Sequence, residues 1–376
     1  MPALSYWFEA VPEEKRFPSL EGSLKRDVAI IGGGIAGLTT AYFLAKGGAR
    51  VALLEQGTLG SGDSGFTTAF ISHFLDNVQA TNKAWEAADE TIRLIKGIVV
   101  AEHLDCDFKI LDSISFTKDD APKLKSDFES LSASSSFLKF LEKPEASSLA
   151  GLDLAGAIHI KSEAAFHIRK YLLGLAKAIK KLGGEIFEES TVLNIDGGAG
   201  KIWCENGEII AKKIVVATGL APGAFSKVNE LLTPRLTFVI GAKLPEGKAL
   251  PEYLFWDNLE PYHYFRMVAP NILMLGGEDR LMREKTNKNP HDELAKFLSG
   301  LINEKFDVLY KWQGSIFMTK DSLPFYGVHP AYGENILFAA GFGGNGMTFG
   351  SLAGRIISDI ILKRENKFTR MFSFTR

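Results

Sequence analysis

The sequence predicts an α/β fold with an α+β insert, and three observations indicate this class. Residues 27–55 follow the order strand, glycine turn, helix, strand and acid. Short buried strands with glycine turns return at 186–217, and another strand, glycine loop and helix occupies 336–363. Between these parts, 237–275 is rich in β-prone and aromatic residues, which is typical of antiparallel strands. We therefore expect one parallel sheet built by distant segments, with antiparallel material inserted.

The opening segment, 27–55, carries glycines at G-x-G-x-x-G spacing. They are Gly32, Gly34 and Gly37. In such a unit the first glycine permits a tight turn, the second lets a pyrophosphate approach, and the third lets the helix pack on the strand. The helix N-terminus favours phosphates, and Glu55 ends the second strand, where a carboxylate accepts ribose hydroxyls. This pattern predicts a Rossmann-like dinucleotide site, although a plain βαβ turn is the alternative.

Composition bounds the class of protein. The chain has 376 residues and a net charge of −2, so it can hold two interlocked domains and lacks the basic excess of a nucleic-acid-binding protein. Two cysteines, Cys106 and Cys204, cannot form a disulfide framework or a four-cysteine metal site. We expect no metal, no secretory signal and a cytoplasmic protein. The uncharged windows 28–45 and 335–354 are broken by glycine, so no transmembrane segment is expected.

The remaining elements follow from hydrophobic spacing. Residues 1–26 are expected to form an extended lead-in. Helices are predicted at 76–104, 121–141, 168–182, 292–302 and 347–363, and strands at 108–116, 157–160, 312–318 and 336–340. Both ends of the chain thus return to one nucleotide site. That arrangement suits a cofactor buried along its full length, and it favours a flavin over a nicotinamide. An NAD-dependent dehydrogenase, the alternative, would leave the glycine loop at 341–346 without a role.

Six motifs carry a resemblance that extends over nearly the whole chain. They are SYW, VAIIGGGIAGLTTAYFLA, LLEQGTLGSGDSGFTTA, VVATG, LPFYG and AAGFGGNGMTFG. The chain resembles the D-amino-acid oxidase superfamily of FAD-dependent oxidoreductases, the branch with glycine, sarcosine and γ-glutamylputrescine oxidases. The likeness is strongest to bacterial members that add a Rieske domain, which we expect to be absent here. The resemblance implies an FAD-binding domain of the glutathione-reductase type and an antiparallel-sheet substrate domain.

The resemblance also implies which residues hold the FAD, and we expect it to be bound non-covalently because the flavin-attaching cysteine has no evident match. The implied contacts are Gly32, Gly34, Ile35, Ala36 and Gly37 at the pyrophosphate; Glu55 and Gln56 at the ribose; Ser61, Ser64, Thr67, Thr68 and Ala69 beside the diphosphate and flavin; Val192 at the adenine; Ala217, Thr218 and Gly219 as a second nucleotide contact; and Gly343, Gly344, Asn345, Gly346 and Met347 at the pyrimidine end. A helix N-terminus at that end would stabilise the negative charge of reduced flavin.

The domain division expected from the resemblance is discontinuous. The FAD-binding domain takes 1–75, 150–225 and 325–376, and the substrate or cap domain takes 76–149 and 226–324. The sequence does not indicate the oligomeric state, and a homo-oligomer is one option.

The substrate side is predicted from alternation along one strand. Tyr262, Tyr264 and Arg266 share a face, and Arg266 could pair bidentately with a carboxylate. The alternative is that the tyrosines are core residues and the arginine lies at the rim. His73 could accept a proton, or it could be a structural histidine. With Tyr264, these two residues are the catalytic candidates.

The expected function is FAD-dependent removal of a hydride from the C–H next to the nitrogen of an amine or amino acid. A non-catalytic or electron-transferring FAD-binding subunit is the alternative. Residues 271–277 lack the lysine that promotes reaction with oxygen in sarcosine-oxidase-like relatives, so we expect electrons to pass to a partner protein. The basic, phenylalanine-containing tail 363–376 could dock such a carrier, or its phenylalanines could pack on the protein itself.

Overall fold

The structure is a computed structural model that describes residues 5–11, 17–73, 82–132 and 137–376. The helices are α1 (Tyr6–Ala10), α2 (Ile35–Lys46), α3 (Asn82–Ala101), α4 (Ala121–Ser132), α5 (Lys143–Ala150), α6 (Ile168–Lys181), α7 (Ser226–Asn229), α8 (Pro290–Leu301) and α9 (Gly346–Ile361), with 3₁₀ turns at Asp63–Phe66 and Gly223–Phe225. The strands are β1 (Gly22–Ile31), β2 (Val51–Leu54), β3 (Phe70–Ile71), β4 (Lys109–Thr117), β5 (Leu138–Glu142), β6 (Gly156–Ala165), β7 (Glu185–Phe187), β8 (Val192–Asp196), β9 (Lys201–Cys204), β10 (Gly207–Val216), β11 (Thr233–Lys243), β12 (Leu254–Asp257), β13 (His263–Ala269), β14 (Ile272–Leu281), β15 (Asp307–Met318), β16 (Phe325–Val328) and β17 (Ile336–Ala340).

The first sheet has the strand order β16-β17-β10-β1-β2-β7, with β9 and β8 attached beside β10. Strand β1 lies between β10 and β2 and is parallel to both, and β17 is parallel to β10. The centre of this sheet is buried on both faces, as the continuous apolar run of β2 requires. The predicted parallel sheet built by distant segments is confirmed.

The second sheet has the strand order β15-β11-β14-β13-β12-β4-β6-β3, with β5 paired to β6. It is mostly antiparallel, apart from the parallel pair β12 and β4. Helix α8 covers part of one face, where Leu294, Leu298 and Leu301 enter an apolar cluster with strand residues such as Phe238 and Phe265. The predicted α+β insert is therefore confirmed.

Two local predictions need correction. The helix predicted at 121–141 ends at Ser132, and Leu138–Glu142 is a strand that pairs with β6. Serines compete for backbone hydrogen bonds and weaken a helix, whereas Leu138 to Glu142 gains a ladder partner. In the lead-in, residues 6–10 form one helical turn that buries Trp7.

Sheet membership bears on the domain division. Strands β3 and β6 belong to the second sheet, although the boundaries at 75 and 150 assign them to the FAD-binding domain. We propose to keep the discontinuous division and to place β3 and β6 with the substrate domain, because a strand shares the core of its sheet.

The tail packs on the protein's own core. Phe368 and Phe372 are fully buried, and Phe374 stacks on Phe325 with ring centroids 4.9 Å apart. Arg376 forms an ion pair with Asp321 at 2.8 Å. The phenylalanines of the tail therefore pack within the molecule, which supports the alternative that they contact the protein itself over the docking of an electron carrier. Separately, no helix in the described part of the chain is long and apolar enough to cross a membrane.

Helices α2 and α9 cross at close range because α9 carries a glycine at the contact. A Cβ on Gly354 would lie 2.6 Å from Thr39 Cβ and 2.7 Å from the Thr40 backbone nitrogen. Ser358 Oγ donates to the Thr40 carbonyl at 3.2 Å in the same interface. The two helices that carry the glycine turns at the ends of β1 and β17 are therefore fixed to each other.

Gly354→Ala and Gly97→Ala are matched substitutions of glycines that lie within helices. Alanine gains about 1 kcal/mol of helix propensity at either position. At Gly97 a Cβ meets nothing within 4 Å, so the midpoint of thermal unfolding should rise. At Gly354 the overlap should outweigh that gain by about 1–3 kcal/mol, so the midpoint should fall. A rise in both variants would contradict the close helix contact.

Candidate functional site

A cleft of about 600 Å³ lies where the carboxyl ends of β1, β2, β10 and β17 meet the second sheet. Its walls include the glycine turn after β1 and the polar loop at 61–68. The opposite end is formed by Thr237, Tyr262, Tyr264 and Asp279. Ligands of α/β proteins bind at this edge of a parallel sheet. The cleft is therefore the candidate site.

The glycine turn is shaped by backbone contacts. Gly32 has φ +112°, and a Cβ there would overlap the carbonyl oxygen of Ala217. A Cβ on Gly37 would overlap the carbonyl oxygen of Gly32. Gly32 and Gly34 line the cleft, whereas Gly37 fixes the helix against the turn instead of lining the cleft. This geometry supports a packing role for Gly37, which was also predicted to contact the pyrophosphate but lies outside the lining.

Glu55 lines the cleft with its carboxylate held in place. One oxygen accepts a hydrogen bond from the Gly33 N–H at 2.7 Å, and the other accepts from the Gly57 N–H at 2.8 Å. The side chain is 8% exposed. A carboxylate so fixed still has lone pairs for hydroxyl donors, since each oxygen can accept two hydrogen bonds.

The loop after β2 is tied to distant parts of the chain. Ser64 Oγ accepts from the Ile35 N–H at 3.1 Å, and Trp7 Nε1 donates to the Thr67 carbonyl at 2.6 Å. Asp63 accepts from the Ser315 N–H at 2.9 Å, and burial raises the pKa of its carboxyl. Asp63 lines the cleft but was not among the predicted residues. Its position inside the small, polar loop was the available signal.

The remaining predicted cofactor residues divide into two groups. Those that line the cleft are Ile35, Ala36, Gln56, Ser61, Ser64, Thr67, Thr68, Val192, Ala217, Thr218, Gly219, Gly343, Gly344, Gly346 and Met347. Ala69 and Asn345 lie outside the lining. Ala69 is fully buried at φ +59°, and Asn345 Oδ1 accepts from Ser72 Oγ at 2.9 Å. Their geometry supports a role in holding the loop and the start of α9.

Arg266 does not enter the cleft. Its Nε donates to the Thr68 carbonyl at 2.9 Å and its Nη2 donates to the Phe166 carbonyl at 3.0 Å. The guanidinium also lies over the Trp7 ring, 5.6 Å from the centroid, and burial lowers its pKa to about 10. The prediction that it pairs with a substrate carboxylate is not supported, because these contacts hold the cofactor-side loop to the second sheet.

His73 is also outside the cleft lining. Its ring lies between Trp85 and Phe137, with centroids 5.8 and 5.9 Å away. Its backbone N–H donates to Glu163 at 2.7 Å, and the side chain is buried. These contacts support the structural-histidine alternative. Of the three catalytic candidates, only Tyr264 lines the cleft.

The fold and the cleft define a protein that binds a dinucleotide at the end of a parallel sheet. Residues 27–360 match the family DAO, described as FAD dependent oxidoreductase, and the chain belongs to this family. The protein is therefore an FAD-dependent oxidoreductase, and the nicotinamide alternative is set aside. The cleft fits FAD, since it offers a fixed carboxylate at Glu55, a bare glycine turn and the glycine-rich start of α9.

Curated relatives cover most of the chain. It is 29% identical to glycine oxidase of Bacillus subtilis, over 90% of this chain and 94% of that one. It is equally identical to YhfW of Bacillus subtilis, whose name describes a Rieske 2Fe-2S iron–sulfur protein, over 99% of this chain and 75% of that one. The crystal structure of glycine oxidase from Geobacillus kaustophilus has the same fold, with a TM-score of 0.83 at 22% identity, covering 94% of this chain and 99% of that chain.

Glu55→Gln should weaken FAD binding roughly tenfold. The amide is uncharged, and its nitrogen donates hydrogen bonds instead of accepting them. The measurement is quenching of flavin fluorescence on titration into the apoprotein. Glu205→Gln, an exposed carboxylate outside the cleft, is the control. Equal affinity in both variants, with unchanged apoprotein unfolding, would contradict the placement of the ribose at Glu55.

Arg266→Met should destabilise the protein by on the order of 3 kcal/mol, since two buried carbonyls lose their donor. Arg280→Met, which loses a contact with the Phe238 ring, should change stability by less than about 1 kcal/mol. Thermal unfolding of both variants tests this. An Arg266 variant of normal stability with a strongly raised KM would restore the substrate role.

Proposed function

We propose that the protein oxidises an amine or amino acid by removing a hydride from the C–H next to the nitrogen. Bound FAD supplies the two-electron acceptor for this reaction. The observation that carries the proposal is that one cleft joins the nucleotide turn to the polar end formed by Thr237, Tyr262, Tyr264 and Asp279. A substrate at that end would occupy the same cleft as the cofactor.

The names of several relatives support a nitrogen-containing substrate. Besides glycine oxidase, the chain is 25% identical to gamma-glutamylputrescine oxidoreductase of Escherichia coli over 97% of its length and 90% of that protein. Each of these names describes chemistry on a compound with an amino or imino nitrogen. An electron-transferring subunit without its own substrate would not need a polar end to the cleft.

Tyr264 is the residue we propose to position the substrate. Its hydroxyl lies 2.8 Å from Thr237 Oγ1, and a hydrogen bond between the two oxygens holds the phenol ring in place. A phenol hydroxyl can both donate and accept hydrogen bonds, which suits it to a polar substrate group. Binding of the FAD is proposed to be non-covalent, and neither Cys106 nor Cys204 lines the cleft.

Anaerobic bleaching of the flavin by a panel of amines and amino acids tests the function. At least one compound should reduce the flavin within seconds, and reoxidation by air or by an added carrier protein then identifies the acceptor. Tyr264→Phe should lower kcat/KM for that compound about tenfold through the lost hydrogen bond. Tyr253→Phe, outside the cleft, should leave it unchanged. No bleaching by any compound would favour the electron-transfer alternative.

A further inference from the structure

The polar end of the cleft contains a carboxylate beside two aromatic rings. In β14, Glu278 points toward His263, with its Oε1 3.3 Å from His263 Nε2. The next residue, Asp279, lines the cleft on the other side of the strand. The register between β11 and β14 slips between Leu236 and Phe238, so Thr237 faces the Glu278–Asp279 pair. Asp279 and the Thr237–Tyr264 pair therefore belong to one wall.

The two rings of this wall are close together. The centroids of Tyr262 and Tyr264 are 5.6 Å apart with their planes inclined by 31°. The Tyr264 ring lies across β14, because a Cβ on Gly276 would come within 2.5 Å of the ring carbons. Aromatic faces and a carboxylate both attract an ammonium group, and the attraction strengthens where water is excluded. This wall, formed by Tyr262, Tyr264 and Asp279, has the chemistry of a cation site.

The other charges of the cleft have the same sign. Among the described lining residues, the charged side chains are Glu55, Asp63 and Asp279, all of them acidic. Arg235 is a cation beside this wall, and its Nη2 donates to the Asp279 backbone carbonyl at 3.4 Å. Arg235 is not part of the lining. A cationic substrate group thus meets favourable potential at this wall, and a carboxylate meets unfavourable potential.

The protonation state of the bound nitrogen narrows the class of substrate further. A carboxylate in contact with an amine favours the protonated ammonium form. Loss of a hydride from the neighbouring C–H needs the nitrogen lone pair, so the reacting nitrogen must be neutral. The ammonium held by the wall is therefore a different nitrogen. We propose that Asp279, Tyr262 and Tyr264 bind a second, protonated amine of the substrate, and that the substrate is a diamine. This inference rests on the proposed amine-oxidising function.

Three compounds of equal chain length test the assignment in the FAD-loaded protein. They are 1,4-diaminobutane, butylamine and 4-aminobutanoate, which share the reacting CH₂–NH₂ end and differ at the other end. Anaerobic flavin reduction should give the diamine a kcat/KM at least tenfold above butylamine, with 4-aminobutanoate lowest. Asp279→Asn should lower the kcat/KM of the diamine until the ratio of the diamine to butylamine is about one. Glu278→Gln, the neighbouring carboxylate outside the cleft, should preserve the preference.

A binding measurement complements the kinetics. Tetramethylammonium cannot react, and its dissociation constant, measured by calorimetry, should rise about tenfold in Asp279→Asn but not in Glu278→Gln.

If 4-aminobutanoate or glycine is preferred and Asp279→Asn changes nothing, the diamine assignment is overturned while the function stands. An equal loss with all three compounds would place Asp279 at the reacting nitrogen and also overturn it. If no compound reduces the flavin, the function fails and the assignment fails with it. The comparison among compounds in the native protein stands even if the variant does not fold.

Discussion

The structure depends on one close approach of backbone to backbone, where the turn after β1 touches the end of β10. Gly32 lies against the Ala217 carbonyl, and Gly37 lies against Gly32 in turn. Only residues without a Cβ allow this spacing, so β1, the helix that follows it and β10 converge at the mouth of the cleft. Glu55, the loop at 61–68 and the start of α9 are then positioned around that point. The nucleotide end of the cleft is thus a consequence of backbone packing.

Much of that end could be predicted from the sequence, because its determinants are local. Glycine spacing, a buried strand on each side and an acid at the tip of β2 lie within 27–55, and the geometry of a βαβ unit brings them together without help from the rest of the chain. The same holds for β17 and α9, where strand, glycine loop and helix are contiguous. These segments bury apolar surface on both faces, so their apolar runs are easy to recognise in the sequence.

The polar end of the cleft was harder to predict, since it depends on contacts between distant segments. Alternation placed Tyr264 and Arg266 on one face of β13, but it could not show that the Thr68 and Phe166 carbonyls cover Arg266. For His73, no local pattern indicates that Trp85 and Phe137 enclose it. Asp279 was missed for the same reason. Which side chains face the cleft is decided by strand register, including the slip near Thr237.

The first sheet also has a consequence for how the protein matures. Its central strand, β1, pairs with β10, which pairs with β17, and these strands come from the beginning, middle and end of the described chain. Pairings between such distant segments form slowly, because long loops must close before any contact is gained. A nascent chain therefore cannot complete the cofactor cleft until β17 has emerged. FAD should act late in folding, as a ligand that selects the fully assembled sheet over partly assembled forms.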